Sequence, residues 1–333
     1  MDYTIYLKLI NSIFNNVMTI EDKSIADILS YHRLLGYFNS SNNEEKLILE
    51  KYTEELKPIF EELDAKKIRF IALKAFSLFD YYENLNIRQF NDIDLLVDPQ
   101  RIDEIIKIIQ KQGYKFGHIN YSNMSFVEAT RNEILFSRLN THEIIKLIKK
   151  RDNIYIKIDI NFLFQWKMFN NTQIDFDILY QNSVNNSIIN IRQLNKIYNI
   201  LHLSCHFYNE TTGFIFSAVS LNKDPQELKI FRLMDIVFIL KSINDTEENE
   251  LIHLSEKYGI NHQLIYTLRM IETFFYNTLS SYLKAYIDNH TYEKNNINIY
   301  YKNNGEIGYW PLSVYDRAFN LRKKDIIMKK MEF

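Results

Sequence analysis

One cysteine, seven glycines and four prolines are spread over 333 residues. A single thiol, Cys205, builds no disulfide framework and no thiolate metal site. A reducing, cytoplasmic setting is the expectation. Glycines this sparse exclude phosphate-binding devices that need them in series, and neither a P-loop nor a GxGxxG fingerprint occurs. They also favour long helices with few tight turns. No stretch approaches 18 consecutive apolar residues, so neither a membrane span nor a membrane partner is expected. The N-terminal stretch lacks the basic, apolar and small-residue blocks of a signal peptide. Charge is nearly balanced, 40 basic against 42 acidic residues. The chain as a whole therefore offers no basic footprint for nucleic acid. Any nucleotide chemistry has to rest on carboxylates, metal ions and basic side chains.

Apolar content of 46% over this length suffices for a sizeable core and about two domains. Helical periodicity runs through residues 1 to 35 and again through "EKLILEKYTEELKPIFEELDAKK". A short apolar strand follows from Ile68, then a helix in "FSLFDYYEN" and a strand in "DIDLLV". Asp98-Pro99 ends that strand, and a helix runs from there to Gly113. "SFVEATRNEILFSR" is open to reading as a strand pair, and "NTHEIIKLIKK" as a short helix. "NIYIKIDINFLF" alternates, with Ile154, Ile156, Ile158 and Ile160 on one face and Tyr155, Lys157, Asp159 and Asn161 on the other. From about residue 190 the pattern is helical. The strand and helix alternation over 68 to 164 predicts an α/β unit followed by an all-helical part.

Asp92 and Asp94 are one residue apart on a predicted strand and project together. Two carboxylates this close repel unless a cation sits between them. A hard divalent ion such as Mg2+ suits oxygen ligands and brings substrate phosphates with it. Asp159, on the polar face of the alternating strand, is the candidate third acid. In such a site one metal activates an attacking hydroxyl and the other stabilises leaving pyrophosphate.

The segment "FIALKAFSLFDYYENLNIRQFNDIDLLVDP" resembles the core of the nucleotidyltransferase superfamily with the polymerase-beta-like fold. More closely, it resembles a bacterial nucleotidyltransferase-like family with an LKG segment, a helix, an arginine and then DIDLLV. "IYIKIDINF", "ILHLSCHFY" and "FRLMDIVFIL" extend the likeness to roughly residues 20 to 285. The resemblance implies a polymerase-beta-like core with a mixed sheet, flanked by N-terminal helices and a C-terminal helical domain. The expected organisation is a helical segment over 1–62, the core over 63–180, helices over 181–285 and a tail over 286–333. It further implies two Mg2+ ions on Asp92, Asp94 and Asp159, with Asp159 also assisting the acceptor hydroxyl. Lys74, Arg88 and Ser77 would face the nucleotide, an NTP with ATP as the expected donor. The acceptor is expected to be a hydroxyl of a small molecule or peptide. The alternatives are a toxin-like enzyme acting on tRNA or protein, and a nucleotide-binding or interaction protein without catalysis. Ala75 and Asn161 depart from the family's glycine and histidine, which motivates the last alternative.

Other residues carry plainer expectations. His202 and His206, four apart on a helix, read as a packed pair, because no third ligand is near. Arg232 and Asp235 read as members of structural ion pairs. Cys205 reads as buried packing.

Overall fold

In the computed structural model, the residues described are 7, 34, 43–82, 92–120, 122–165, 172–186, 190–212, 228–290, 299–301, 307–309, 313–319 and 329–330. The periodicity over residues 1 to 35 therefore falls almost wholly outside them. The chain divides into two compact units. One comprises 42–167 with 173–199, the other 1–41, 168–172 and 200–333.

The sheet unit opens with helix α1 (Asn43–Ala65), strand β1 (Phe70–Leu73) and a 3-10 helix (Lys74–Tyr81). Strand β2 (Ile93–Val97), helix α2 (Ile102–Lys111) and strands β3 (Lys115–Asn120) and β4 (Ser125–Glu128) follow. Then come α3 (Arg131–Asn140), β5 (Leu147–Arg151), β6 (Ile154–Asn161), α4 (Phe176–Gln181), β7 (Ser183–Asn185) and β8 (Arg192–Leu194). The strands form one mixed sheet in the order β4-β3-β5-β6-β2-β1-β8-β7. β2 with β6 and β1 with β8 pair parallel, and the other pairs are antiparallel.

Period-2 patterning decides what this sheet buries. Ala72, Ile93, Leu95, Val97, Ile156, Ile158 and Ile160 belong to one apolar cluster. Helix α1 meets it with Tyr52, Leu56, Ile59 and Leu63, spaced four, three and four residues apart as one helical stripe. Helix α2 adds Ile105, Ile106, Ile108 and Ile109. Its approach is set by Asp98, whose side chain accepts a hydrogen bond from the Gln100 backbone at 3.0 Å, with Pro99 next. The chain leaves α2 through Gly113, whose φ of 89° suits a residue without Cβ.

Two local expectations fail. "SFVEATRNEILFSR" is one short strand, β4, followed by helix α3. Thr130 and Glu133 form a capping box that starts the helix, a signal that outweighs the alternation around it. "NTHEIIKLIKK" is not a helix. Its second half is β5, drawn into extended form by five backbone pairings with β6. Intrinsic preference yields there to the ladder that the sheet offers.

Helix α5 (Lys196–Thr212) leads into the second unit, which contains α6 (Ile230–Leu240), α7 (Asp245–Lys257), α8 (Asn261–Phe274), α9 (Ser281–Asn289) and α10 (Val314–Phe319). A small antiparallel sheet joins β9 (Ile299–Tyr301), β10 (Ile307–Tyr309) and β11 (Lys329–Lys330). Phe207, Tyr208, Met234, Leu268 and Phe274 are fully buried in this unit. The His202 and His206 rings stack 6.4 Å apart, and His206 lies 3.6 Å from Glu210. Arg232 pairs with Glu210. Cys205 is buried, and burial pushes its thiol well above the ordinary range. Among the described residues, no helix is long and apolar enough to cross a membrane.

Candidate metal centre

The face of β2 and β6 opposite the apolar cluster carries acids. Parallel pairing sets Asp94 directly beside Asp159, on strands about 4.8 Å apart. Both are buried, with 2% and 3% of their surface exposed. A third carboxylate, Glu143, comes from the segment between α3 and β5. That segment is pinned to the end of β6. Glu143 bridges Asn161, the Ile144 amide donates to the Ile160 carbonyl at 2.9 Å, and the Phe162 amide donates to the His142 carbonyl at 3.0 Å. One oxygen from each of Asp94, Glu143 and Asp159 lies within 4.8 Å of the other two. At that spacing each ionised pair repels by about 3 kcal/mol at an effective dielectric of about 20.

Two lysines answer part of this charge. Lys74 bonds Asp94 at 2.6 Å. Lys146 bonds Asp92 at 2.6 Å and also reaches Asp159. Lys74 stands at the turn from β1 into the 3-10 helix with φ of 50°. Left-handed backbone at a residue with a Cβ costs about 1–2 kcal/mol, a strain typical of functional turns. Ser77 lies beneath it, fully buried. Its hydroxyl donates to the Lys74 carbonyl at 2.8 Å and to Asn199 Oδ1 at 3.2 Å.

Burial raises the Asp94 carboxyl above the ordinary range, Lys74 opposes it, and the neighbouring Asp92 raises it further. Burial likewise raises Asp159 well up, against Lys146. Asp92 is 34% exposed; burial pushes its carboxyl up, but Lys146 and Lys74 outweigh that and bring it down to about 2. Burial pulls Lys74 and Lys146 down, and the surrounding carboxylates more than reverse this for both. His142 is lowered to about 3, by burial first and then by Lys74, so it stands there as neutral imidazole. Burial is the largest cause of both raised carboxyls, and a cation beside them would favour their ionised forms.

Unsatisfied atoms point the same way. Asp159 Oδ1 and both amide atoms of Asn161, which is 1% exposed, are buried without a hydrogen-bond partner. Such atoms are costly unless something fills them. Three carboxylate oxygens suit a hard divalent cation, Mg2+ or Mn2+, and not a thiophilic one. The donor set therefore fits the ion that the sequence suggested.

The structure brings Asp92, Asp94, Asp159 and Lys74 into one neighbourhood. Glu143, which the sequence reading passed over, completes the close three-acid group, and Asp92 stands beside that group on Lys146. Lys146 was also passed over. Both lie in the segment misread as a helix. Glu143, Ile144, Ile145 and Lys146 do not alternate, so the stretch carries no strand signal of its own. Arg88 lies outside the described residues. The left-handed residue of the turn is Lys74, one position before Ala75.

The sequence matches the family described as an uncharacterised nucleotidyltransferase over residues 13–276. None of the curated proteins matches it. Two solved structures are similar to the chain at low identity. One is the solution structure of the antibiotic-resistance factor ANT(2'')-Ia, 10% identical, covering 63% of this chain and 95% of that one with a TM-score of 0.34. The other is an antigenic nucleotidyltransferase-like protein from Paracoccidioides brasiliensis, 11% identical, covering 67% and 93% with a TM-score of 0.33.

Proposed function

Because the chain belongs to the uncharacterised nucleotidyltransferase family, we propose that its acids serve a metal-dependent nucleotidyl transfer. A nucleoside monophosphate moves from an NTP to a hydroxyl, and pyrophosphate leaves. The carrying observation is the group of Asp94, Glu143 and Asp159, with oxygens within 4.8 Å of one another. These three would hold one Mg2+, and Asp92, more open to solvent, would hold a second that accompanies the triphosphate. Bound ions of this kind neutralise phosphate charge and lower the pKa of a hydroxyl they touch.

The chain's own groups do the rest. Lys74, fixed by its pairing with Asp94 and by the Ser77 turn, presents positive charge to the phosphates. Arg88 adds to it. Asp159 Oδ1 takes the acceptor's proton as the acceptor oxygen bonds to the α-phosphorus and the bond to pyrophosphate breaks. Work of this kind is mostly positioning and charge neutralisation. ATP is the proposed donor, and the cytoplasm the proposed compartment. For the acceptor we favour a small molecule or peptide. A cavity of about 440 Å³, lined by Leu96, Arg69, Asp98, Phe162, Gln173 and Phe176 and by none of the four acids, lies in the same unit. That volume suits a small molecule.

A second reading is a nucleotide-binding protein without catalysis. It is favoured by Lys146, which closes over Asp92 and Asp159. The test is incubation with each radiolabelled NTP, Mg2+ and a cell extract, wild type beside Asp94→Asn and Glu143→Gln. Metal-dependent label transfer that disappears in both variants supports the enzyme. Nucleotide binding with no transfer and no pyrophosphate release from any NTP supports the second reading.

A further inference from the structure

Lys146 occupies a particular position among these acids. Its backbone is fixed, because its carbonyl accepts from the Gly117 amide at 3.0 Å and the preceding Ile145 amide donates to Ser137 Oγ at 3.2 Å. Its side chain is 37% exposed and ends on Asp92 and Asp159 together. A lysine ammonium is a compact point charge on a flexible four-carbon stem. An anchored root with a half-open stem lets the charge move while the fold stays still. The charge count shows why it would move. Asp92, Asp94, Glu143 and Asp159 face Lys74 and Lys146, with Lys157 a further cation near Asp92. A divalent ion at Asp94, Glu143 and Asp159 would share Asp159 with the ammonium, and two cations on one carboxylate repel. A triphosphate entering beside Asp92 gives that ammonium an anion to go to.

We propose that Lys146 is a built-in counter-ion that competes with the divalent ion for Asp159 and passes its charge to the triphosphate when the ion binds. This rests on the metal-site reading above. Its consequence is a coupling between the two ligands. Metal alone binds weakly because it must displace Lys146, nucleotide alone binds weakly because Lys146 stays on the acids, and each improves the other. Lys146 thereby acts as a positioning residue that blocks the empty acids and completes the loaded site.

The test uses the full chain with Lys146→Gln and Lys146→Arg. Free Mn2+ is followed by electron paramagnetic resonance without nucleotide. The Kd of a Mn2+ complex with a non-hydrolysable α,β-methylene triphosphate is measured by calorimetry. Lys146→Gln should bind Mn2+ about tenfold more tightly and the nucleotide complex about tenfold more weakly, after discounting the full Coulomb value for solvent access. Lys146→Arg should keep the wild-type pattern. Opposite changes from one substitution separate this role from structural damage, which weakens both ligands. Mn2+ affinity that is unchanged or lower in Lys146→Gln overturns the proposal while leaving the metal site standing, provided Glu143→Gln still lowers it. Absence of Mn2+ binding by the wild type and by Lys146→Gln removes both the metal site and this role.

Discussion

On β6, Ile156, Ile158 and Ile160 turn to one side of the sheet, and Asp159 and Asn161 turn to the other. β2 repeats the division, with Ile93, Leu95 and Val97 against Asp94. Both sides are buried, and they are buried for opposite ends. The isoleucine side joins the stripes of α1 and α2 in a hydrophobic cluster whose polar side-chain atoms are the hydroxyls of Tyr52 and Tyr114. The acid side keeps carboxylates raised by burial, two lysines, and amide and carboxylate atoms without partners. One side holds the sheet unit together. The other spends stability to keep charge and hydrogen-bonding capacity in reserve. A one-residue slip of β6 would exchange them, and the Asp94 to Asp159 register excludes that slip.

Substitutions on alternate residues of the same strands separate the two roles. The largest effect belongs to the acids. Asp94→Asn and Asp159→Asn should each lower kcat by about three orders of magnitude, measured as pyrophosphate release, because they remove a charge needed where phosphate charge develops. The same variants should melt no lower than wild type, since a like charge leaves a crowded pocket. Next comes the isoleucine side. Ile158→Ala should cost about 3 kcal/mol in urea unfolding, through lost burial and the cavity left behind. Its Mn2+ affinity should stay near wild type under conditions where it is folded.

Ligand stabilisation is the third effect. Mn2+ at about 100 times its Kd should stabilise the wild type by about 2.7 kcal/mol. Glu143→Gln should lose most of that shift, and Ile158→Ala should retain it, both read from melting with and without EDTA. The smallest effect tests the reserve itself. Asn161→Leu should stabilise the protein by about 1 kcal/mol, because two buried unpartnered atoms are replaced by an apolar group of similar size. It should also weaken ligand binding. A destabilised Asn161→Leu would mean that the amide has a structural partner, and the contrast between faces would weaken.

The same contrast explains what was legible in the sequence. Period-2 alternation in "IYIKIDIN" gives the strand, its apolar face and the direction of Asp159 together, and the DID pair gives the second strand. Helices α1 and α2 announce themselves by spacing and by Asp98-Pro99 and Gly113. Glu143 and Lys146 were hidden because their place depends on distant pairings. A lone bridge to Asn161 and the β5 ladder with β6 put them at the acids, and nothing within "HEIIKLIKK" encodes either partner. The helix α3 was readable in principle. "TRNE" is a capping box, passed over in favour of the apolar residues after it. Ser77 shows the converse case. Its position near Lys74 and its bond to the Lys74 carbonyl three residues back are local, but its buried bond to Asn199 comes from a partner 122 residues away.

The central claim is that Asp94, Glu143 and Asp159 hold a divalent ion. Its most direct test is anomalous diffraction from crystals grown with Mn2+. The account predicts a peak about 2.0–2.2 Å from one oxygen of each carboxylate, with Lys146 withdrawn from Asp159. A map without a peak there, at Mn2+ concentrations that saturate any site in solution and with Lys146 still on Asp92 and Asp159, would contradict it.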